Sequence, residues 1–342
     1  MIGQIIDNRY QVESTLGRGG MGTVYRATDQ VEHRPVAIKF LHAYLDMPGD
    51  MAFKRFQREF RVLAQLDHPR IVTAYDHGVY RDTPYLVLEF LEGQNLSRVL
   101  ANGPLARALL LSLTSQICEA LVYLHNRSIV HRELKPGNLM LSETDNGPQI
   151  KLMDFGLVRT ANLSVQLTQE GTALGTMAYI APEQAQGFPV DFRADLYALG
   201  IVMFEMATGR PPFVHENPAV MLMNQLTMPP PAPSQFNPGL DGQLEALILQ
   251  LLAKEPSERP GSAGQLARQL AILADKTPII PAETGKYRAD IIPRVPLIGR
   301  DQALSELQQL WVHAQQGVGR LVLVPGVALS LIHISEPTRQ PA

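Results

Sequence analysis

The chain has 342 residues, enough for one large domain or two smaller ones. Hydrophobic residues make up 45% and charged residues 18%, which excludes a disordered chain, and a formal net charge of −3 gives no electrostatic case for nucleic acid or an anionic membrane. The single cysteine, Cys118, excludes an internal disulfide framework and suits a reducing compartment, so a cytoplasmic location is expected.

Residues 1–10 lack the apolar core of a secretory signal, and no segment approaches the roughly 20 apolar residues that a membrane span needs. Residues 10–16, 24–29 and 36–41 read as strands, with Gly and Pro punctuation between them. Over residues 50–66, Phe53, Phe56, Phe60 and Leu63 recur at helical spacing. Residues 71–77 and 85–89 read as two further strands, giving a small, mostly antiparallel sheet with one helix. After Gly93 the pattern turns helical, at 107–126, 195–208, 218–226, 240–252 and 263–273, with short strands at 139–142 and 150–153. Cys118 falls on the first of these helices with Leu113, Ile117 and Leu121, where a buried apolar role fits better than a reactive thiol. The run 198–206 is short and contains Glu205, so it reads as a buried helix, and the proline-rich residues 228–233 form a stiff connector.

Four groups of residues stand out. Gly17-Arg18-Gly19-Gly20-Met21-Gly22-Thr23-Val24 lies between two strands; a dinucleotide site would need a helix after it, and a hairpin turn alone would also account for it. Val36-Ala37-Ile38-Lys39 ends a strand on a cation, and Glu59 sits among the inward-facing Phe56, Phe60 and Leu63; either charge taken alone reads as solvated surface. The third group is His131-Arg132-Glu133-Leu134-Lys135-Pro136-Gly137-Asn138, followed by Asp154-Phe155-Gly156. The fourth is Ala181-Pro182-Glu183.

In this order the groups resemble a eukaryotic-like (Hanks-type) serine/threonine protein kinase of the bacterial branch, over residues 10–273. The resemblance implies an α+β, two-lobed fold: a β-rich N-lobe with one helix over about 10–90 and a mainly helical C-lobe over about 93–273. It implies ATP and Mg2+ as cofactors and serine or threonine hydroxyls of proteins as acceptors, with self-association or autophosphorylation in trans as a further expectation. Residue by residue, Asn138 and Asp154 would hold magnesium, and Lys135 would stabilise the transferring phosphate. Gly17, Gly19 and Gly22 would cover the phosphates, and Lys39, held by Glu59, would contact them. Leu16, Val24, Ala37 and Met140 would sandwich adenine, with Glu89 to Leu91 as the hinge. Thr176 would brace the catalytic loop, Glu183 would pair with Arg259, and Asp195 would anchor the loop from below. His131 and Phe155 would be packing residues, and Arg132 would answer to phosphorylation at Thr168 or Thr172, with Glu170 between them supplying part of that charge.

One residue departs from the family pattern: Glu133 stands where the family has its catalytic aspartate. The two carboxyls have similar intrinsic pKa values, so geometry is the issue. An extra methylene moves the carboxylate by about 1 Å, a displacement that can cost on the order of 10²-fold in rate. The expectation is a slow or re-tuned kinase. The alternatives are an ATP-binding pseudokinase acting as scaffold or sensor, and a kinase active only within a longer protein.

Residues 274–295 read as a linker, and 296–328 resemble the truncated start of a signal-transduction ATPase related to the AAA family, with Gly319–Gly326 leading toward a P-loop that lacks its Gly-Lys-Ser/Thr. Trp311 would be a core residue there. Residues 329–342 read as a non-native tail, because Leu329 to Arg339 resembles the translation of a transposase sequencing adaptor.

Overall fold

The computed structural model describes residues 1–19, 22–41, 57, 60–154 and 177–274. Expectations about Glu59, Phe155, Thr168, Glu170, Thr172, Thr176 and everything after residue 274 lie outside the described residues.

The N-terminal part is a six-stranded antiparallel sheet of β1 (Ile5–Ile6), β2 (Tyr10–Gly19), β3 (Gly22–Asp29), β4 (Arg34–Leu41), β5 (Ala74–Tyr80) and β6 (Thr83–Glu89), in spatial order β1-β2-β3-β4-β6-β5. Register decides which residues meet a ligand. Tyr25 lies opposite Ile38, and Ile38 opposite Val87, so these point to one face and form a core with Tyr10, Val12, Phe40 and Tyr85. Val24 lies opposite Lys39, and Lys39 opposite Leu86, so these share the other face with Ala37 and Leu88. A one-residue slip would exchange the two sets. Phe60 and Leu63, on helical residues 60–63, pack against Leu41 and Leu86 of that second face.

Strands β1 and β5 are opposite edges of the sheet, yet side chains link residues around β1 and β2 to β5 and β6. Tyr10 Oη donates to Asp76 at 2.8 Å, Tyr80 Oη to Gln4 at 3.4 Å, and Tyr85 Oη to Asp7. Arg9 pairs bidentately with Asp29 at 2.8 Å and also reaches Asp76. The sheet therefore curls. The sequence reading missed β1, which is two residues long, and placed β5 three residues early. Ile71 and Val72 are buried for another reason: Ile71 forms a parallel bridge with Leu152, and Val72 N–H donates to its carbonyl.

The second part begins with β7 (Gln94–Asn95) and α1 (Leu96–Leu100), followed by α2 (Arg107–His125), β8 (Leu139–Thr144) and β9 (Gly147–Leu152). It continues with α3 (Pro182–Ala185), α4 (Arg193–Thr208), α5 (Pro218–Thr227), α6 (Gly242–Leu251) and α7 (Ala263–Leu273). Side chains of Asn95, Asn217, Asp241 and Ser262 cap α1, α5, α6 and α7, and Gly209, at φ 79°, ends α4. Helix α4 is buried on nearly every side, as a central helix must be. Among the described residues α2 alone is long and apolar enough to cross a membrane; its apolar residues, Cys118 included, pack the same core as α4. Gln116 of α2 acts as a neighbour to β9, donating to Pro148 O at 3.0 Å and accepting from Ile150 N–H at 2.9 Å.

Arg259 is the polar centre of this half. Its five N–H donors go to Glu183 (2.7 and 2.9 Å) and to the carbonyls of Ala253, Arg193 and Lys254. Removing Arg259 leaves Glu183 buried without its counter-charge. Arg259→Met is expected to cost about 3–5 kcal/mol in urea unfolding, and the double change with Glu183→Gln to recover a large part of it.

Candidate active site

The loop 131–138 is shaped by a carboxylate on α4. Asp195, 1% exposed, accepts the backbone N–H of His131 at 2.9 Å and of Arg132 at 2.8 Å, and His125 Nε2–H at 2.9 Å. Burial pushes its carboxyl up, but His125, His131 and the backbone donor outweigh that and hold it below its ordinary value. Arg132 takes φ 65°, a conformation costly for a side-chain-bearing residue. It is gripped from both sides, because Gln184 of α3 donates to its carbonyl at 2.9 Å.

His131 is fully buried. Its Nε2–H donates to Met153 O at 3.1 Å, which leaves Nδ1 to accept Glu133 N–H at 3.4 Å, and burial keeps the ring neutral by lowering its pKa. Both ring nitrogens are engaged by backbone groups, so the imidazole is a packing and orienting group.

Glu133 has a side chain only 3% exposed, and its carboxylate accepts from Lys135 Nζ at 2.9 Å. The longer arm is thus folded back inside the loop and keeps its cationic neighbour. Asn138 donates through Nδ2 to Glu133 O at 2.8 Å and to Asp154 O at 3.3 Å, which leaves Oδ1 as an acceptor. Asp154 follows β9, takes φ 51°, and receives Lys39 Nζ at 2.6 Å. Surrounding protein pushes the Asp154 carboxyl up, while Lys39, Lys135 and His131 more than offset that and hold it below its usual value. Lys39, Asp154, Asn138, Glu133 and Lys135 therefore form one chain of contacts running from β4 to the loop.

Above this chain lies the cleft face of the sheet, with Val24 and Ala37 on it and Leu16 at its exposed rim. Glu89 ends β6; its carboxylate accepts Lys151 Nζ at 2.5 Å and Thr73 N–H at 3.3 Å, and its own N–H donates to Thr73 O. Leu91 follows it, and Met140 lies opposite Lys151 on β8. The glycines differ in kind. A Cβ on Gly22 would fall 1.7 Å from Phe40 O, so that glycine is required by packing. A Cβ on Gly17 or Gly19 would meet nothing within 4 Å, so their bare backbone faces open space.

The protein kinase domain model matches residues 10–270. Serine/threonine-protein kinase Pkn1 of Myxococcus xanthus is 38% identical over 290 residues, covering 84% of this chain and 42% of that protein. Serine/threonine-protein kinase PknB of Mycobacterium leprae is 34% identical over 339 residues, covering 93% of this chain and 52% of that one. The chain belongs to the bacterial serine/threonine protein kinase family. The crystal structure of the Mycobacterium tuberculosis PknI kinase domain superposes with a TM-score of 0.64 at 28% identity, over 80% of this chain and 99% of that one. This kinase chain spans about half the length, or less, of the full-length relatives it matches.

Protein kinases use ATP with Mg2+ and act on proteins. The donor set here fits that pair: Asn138 Oδ1 and the Asp154 carboxylate are hard oxygen ligands, and the open backbone at Gly17 and Gly19 leaves room for phosphates. In this kinase Lys39 is paired with Asp154, and its expected partner Glu59 lies outside the described residues. Sequence reasoning did not pick out Gln184, His125, Lys151 or Thr73, whose roles are contacts with residues distant in the chain. Asp195→Asn is expected to cost about 2 kcal/mol at pH 7. Because the native carboxyl titrates below its unfolded value of 3.8, that contribution is complete above 3.8 and is lost as pH falls through the native value. Urea midpoints of the two proteins should therefore converge in acid.

Proposed function

We propose that this chain transfers the γ-phosphoryl group of ATP to serine or threonine hydroxyls of proteins, with Glu133 in the base position. The observation that carries it is the continuous contact chain from Lys39 through Asp154, Asn138 and Glu133 to Lys135, which brings the phosphate-binding, metal-binding and base residues together. Asn138 and Asp154 are the residues to hold magnesium, and Lys39 with Gly17, Gly19 and Gly22 those to hold the phosphates. Leu16, Val24, Ala37 and Met140 would contact adenine, beside the backbone of Glu89 and Leu91. Bound magnesium neutralises charge on the transferring phosphate. Glu133 orients the acceptor hydroxyl and takes its proton, and Lys135, 2.9 Å from that carboxylate, steadies the transferring group. Relatives named as kinases at 34–40% identity weigh against the pseudokinase alternative.

Acceptors include, in this reading, Thr168 or Thr172 of a second copy. A reducing cytoplasm, where Cys118 stays a buried thiol, is the proposed location. The truncated ATPase beginning at residue 296 and the adaptor-derived tail from 329 also remain proposals, and resequencing the gene past Ala328 tests both.

The activity test is ATP-dependent labelling of wild type, Glu133→Asp and Lys39→Met side by side. Wild type is expected to label and Lys39→Met to lose the signal. Glu133→Asp should run faster, by as much as ~10²-fold if the methylene misplaces the carboxylate by about 1 Å. A silent wild type beside a labelling Glu133→Asp would establish the pseudokinase instead.

A further inference from the structure

Residues 177–181 lead into α3, whose Gln184 donates to the carbonyl of Arg132 in the loop that carries Glu133. An acceptor protein presenting a hydroxyl to Glu133 must lie near this junction of α3 with the loop. The backbone leading into α3 is held by a buried polar relay from three other elements. Gln225 of α5, fully buried, donates Nε2–H to Ala178 O at 2.5 Å. Its Oε1 accepts Tyr197 Oη–H, from α4, at 2.6 Å. Tyr197 Oη in turn accepts from Lys254 Nζ at 3.1 Å, and Lys254 also donates to Gln225 O at 2.7 Å and Asn224 O at 3.4 Å.

All three links of the relay point the same way, from the lysine cation to the Ala178 carbonyl, so each polarises the next. A buried glutamine could sit against α5's own backbone; here it spans 47 residues of sequence to fix one peptide on the approach to α3.

We infer that Gln225, oriented by Tyr197 and Lys254, is a positioning residue for the protein acceptor, fixing the backbone of residues 177–181 that leads into the helix gripping the Glu133 loop. The inference rests on the phosphoryl-transfer reading above. The residues assigned to nucleotide and metal sit on other elements, so the relay acts on the acceptor's KM more than on the KM for ATP or on kcat. Lys254 is faced by the rings of Tyr197 and Phe213 and by Arg259, which carries Glu183. Burial, with repulsion from Arg259, pulls its ammonium down to about 8. The charge at the head of the relay is thus lost as pH rises through that value, while Gln225 and Ala178 do not titrate.

The test is steady-state phosphorylation of dephosphorylated casein by the full chain, with casein and ATP varied separately. Gln225→Leu should raise the casein KM about ten-fold, the scale of leaving one buried carbonyl unpaired, with smaller changes in ATP KM and kcat. Gln225→Met, which keeps the length but has no donor for Ala178 O, should behave alike. In wild type the casein KM should rise between about pH 7 and about pH 9, while Lys254→Arg, still charged there, should hold it low. Should Gln225→Leu fail to fold, this pH comparison decides by itself. A wild type inert toward casein and toward its own Lys39→Met chain removes the transfer reading and the inference together. An active wild type whose casein KM ignores both Gln225 and pH, or whose kcat and both KM values move equally, overturns the inference alone.

Discussion

The carboxylate of Asp195 is the point from which the catalytic loop hangs. A buried charge is tolerable only where donors surround it, and here two peptide N–H groups and a histidine supply them, while its place in the first turn of α4 favours a negative charge. The two peptides belong to His131 and Arg132, so satisfying the charge also dictates the left-handed turn at Arg132. That turn aims Glu133 inward toward Lys135, and Asn138, five residues on, closes the loop by donating to Glu133 O. Without the anchor, the backbone strain at Arg132 has nothing to balance it.

From this loop the constraint spreads through β9. Gln116 pins that strand from below, and residues 70–72 pair with Leu152 from the side. Thr73 and Lys151 then carry the connection to Glu89 at the end of the sheet. The strand that delivers Asp154 is therefore held by both halves of the fold. Lys39 adds a charge pair across the same boundary, and its carboxylate partner stays ionised. The outcome is an acidic and a basic group held together on the ligand-facing side of the sheet.

Much of this was legible in the chain because local chemistry marks it. Gly and Pro punctuate the strands, 3.6-residue periodicity marks α2, and Asn217-Pro218 and Ser262 stand at helix starts at the positions observed. Residues 71–72 misled the strand assignment because apolar composition reports burial but not the partner, which lies some 80 residues away in β9. Likewise β1 has too few residues to show any period. The difference between Gly22, excluded from a side chain by Phe40 O, and the open Gly17 and Gly19 is invisible in a motif where all three are simply glycine.

The sequence by itself determined the family pattern, the order of the ligand groups and the departure at Glu133, because those depend on residue identity and spacing along the chain. The tertiary structure alone decided how Glu133 is accommodated, folded back onto Lys135, and that Lys39 meets Asp154. It also decided that Gln184 grips Arg132 and that Lys254, Tyr197 and Gln225 line up toward Ala178. Glutamines and a lysine carry no periodic signature. Their meaning comes from burial, which forces each polar atom to find a partner wherever the fold has brought one within reach.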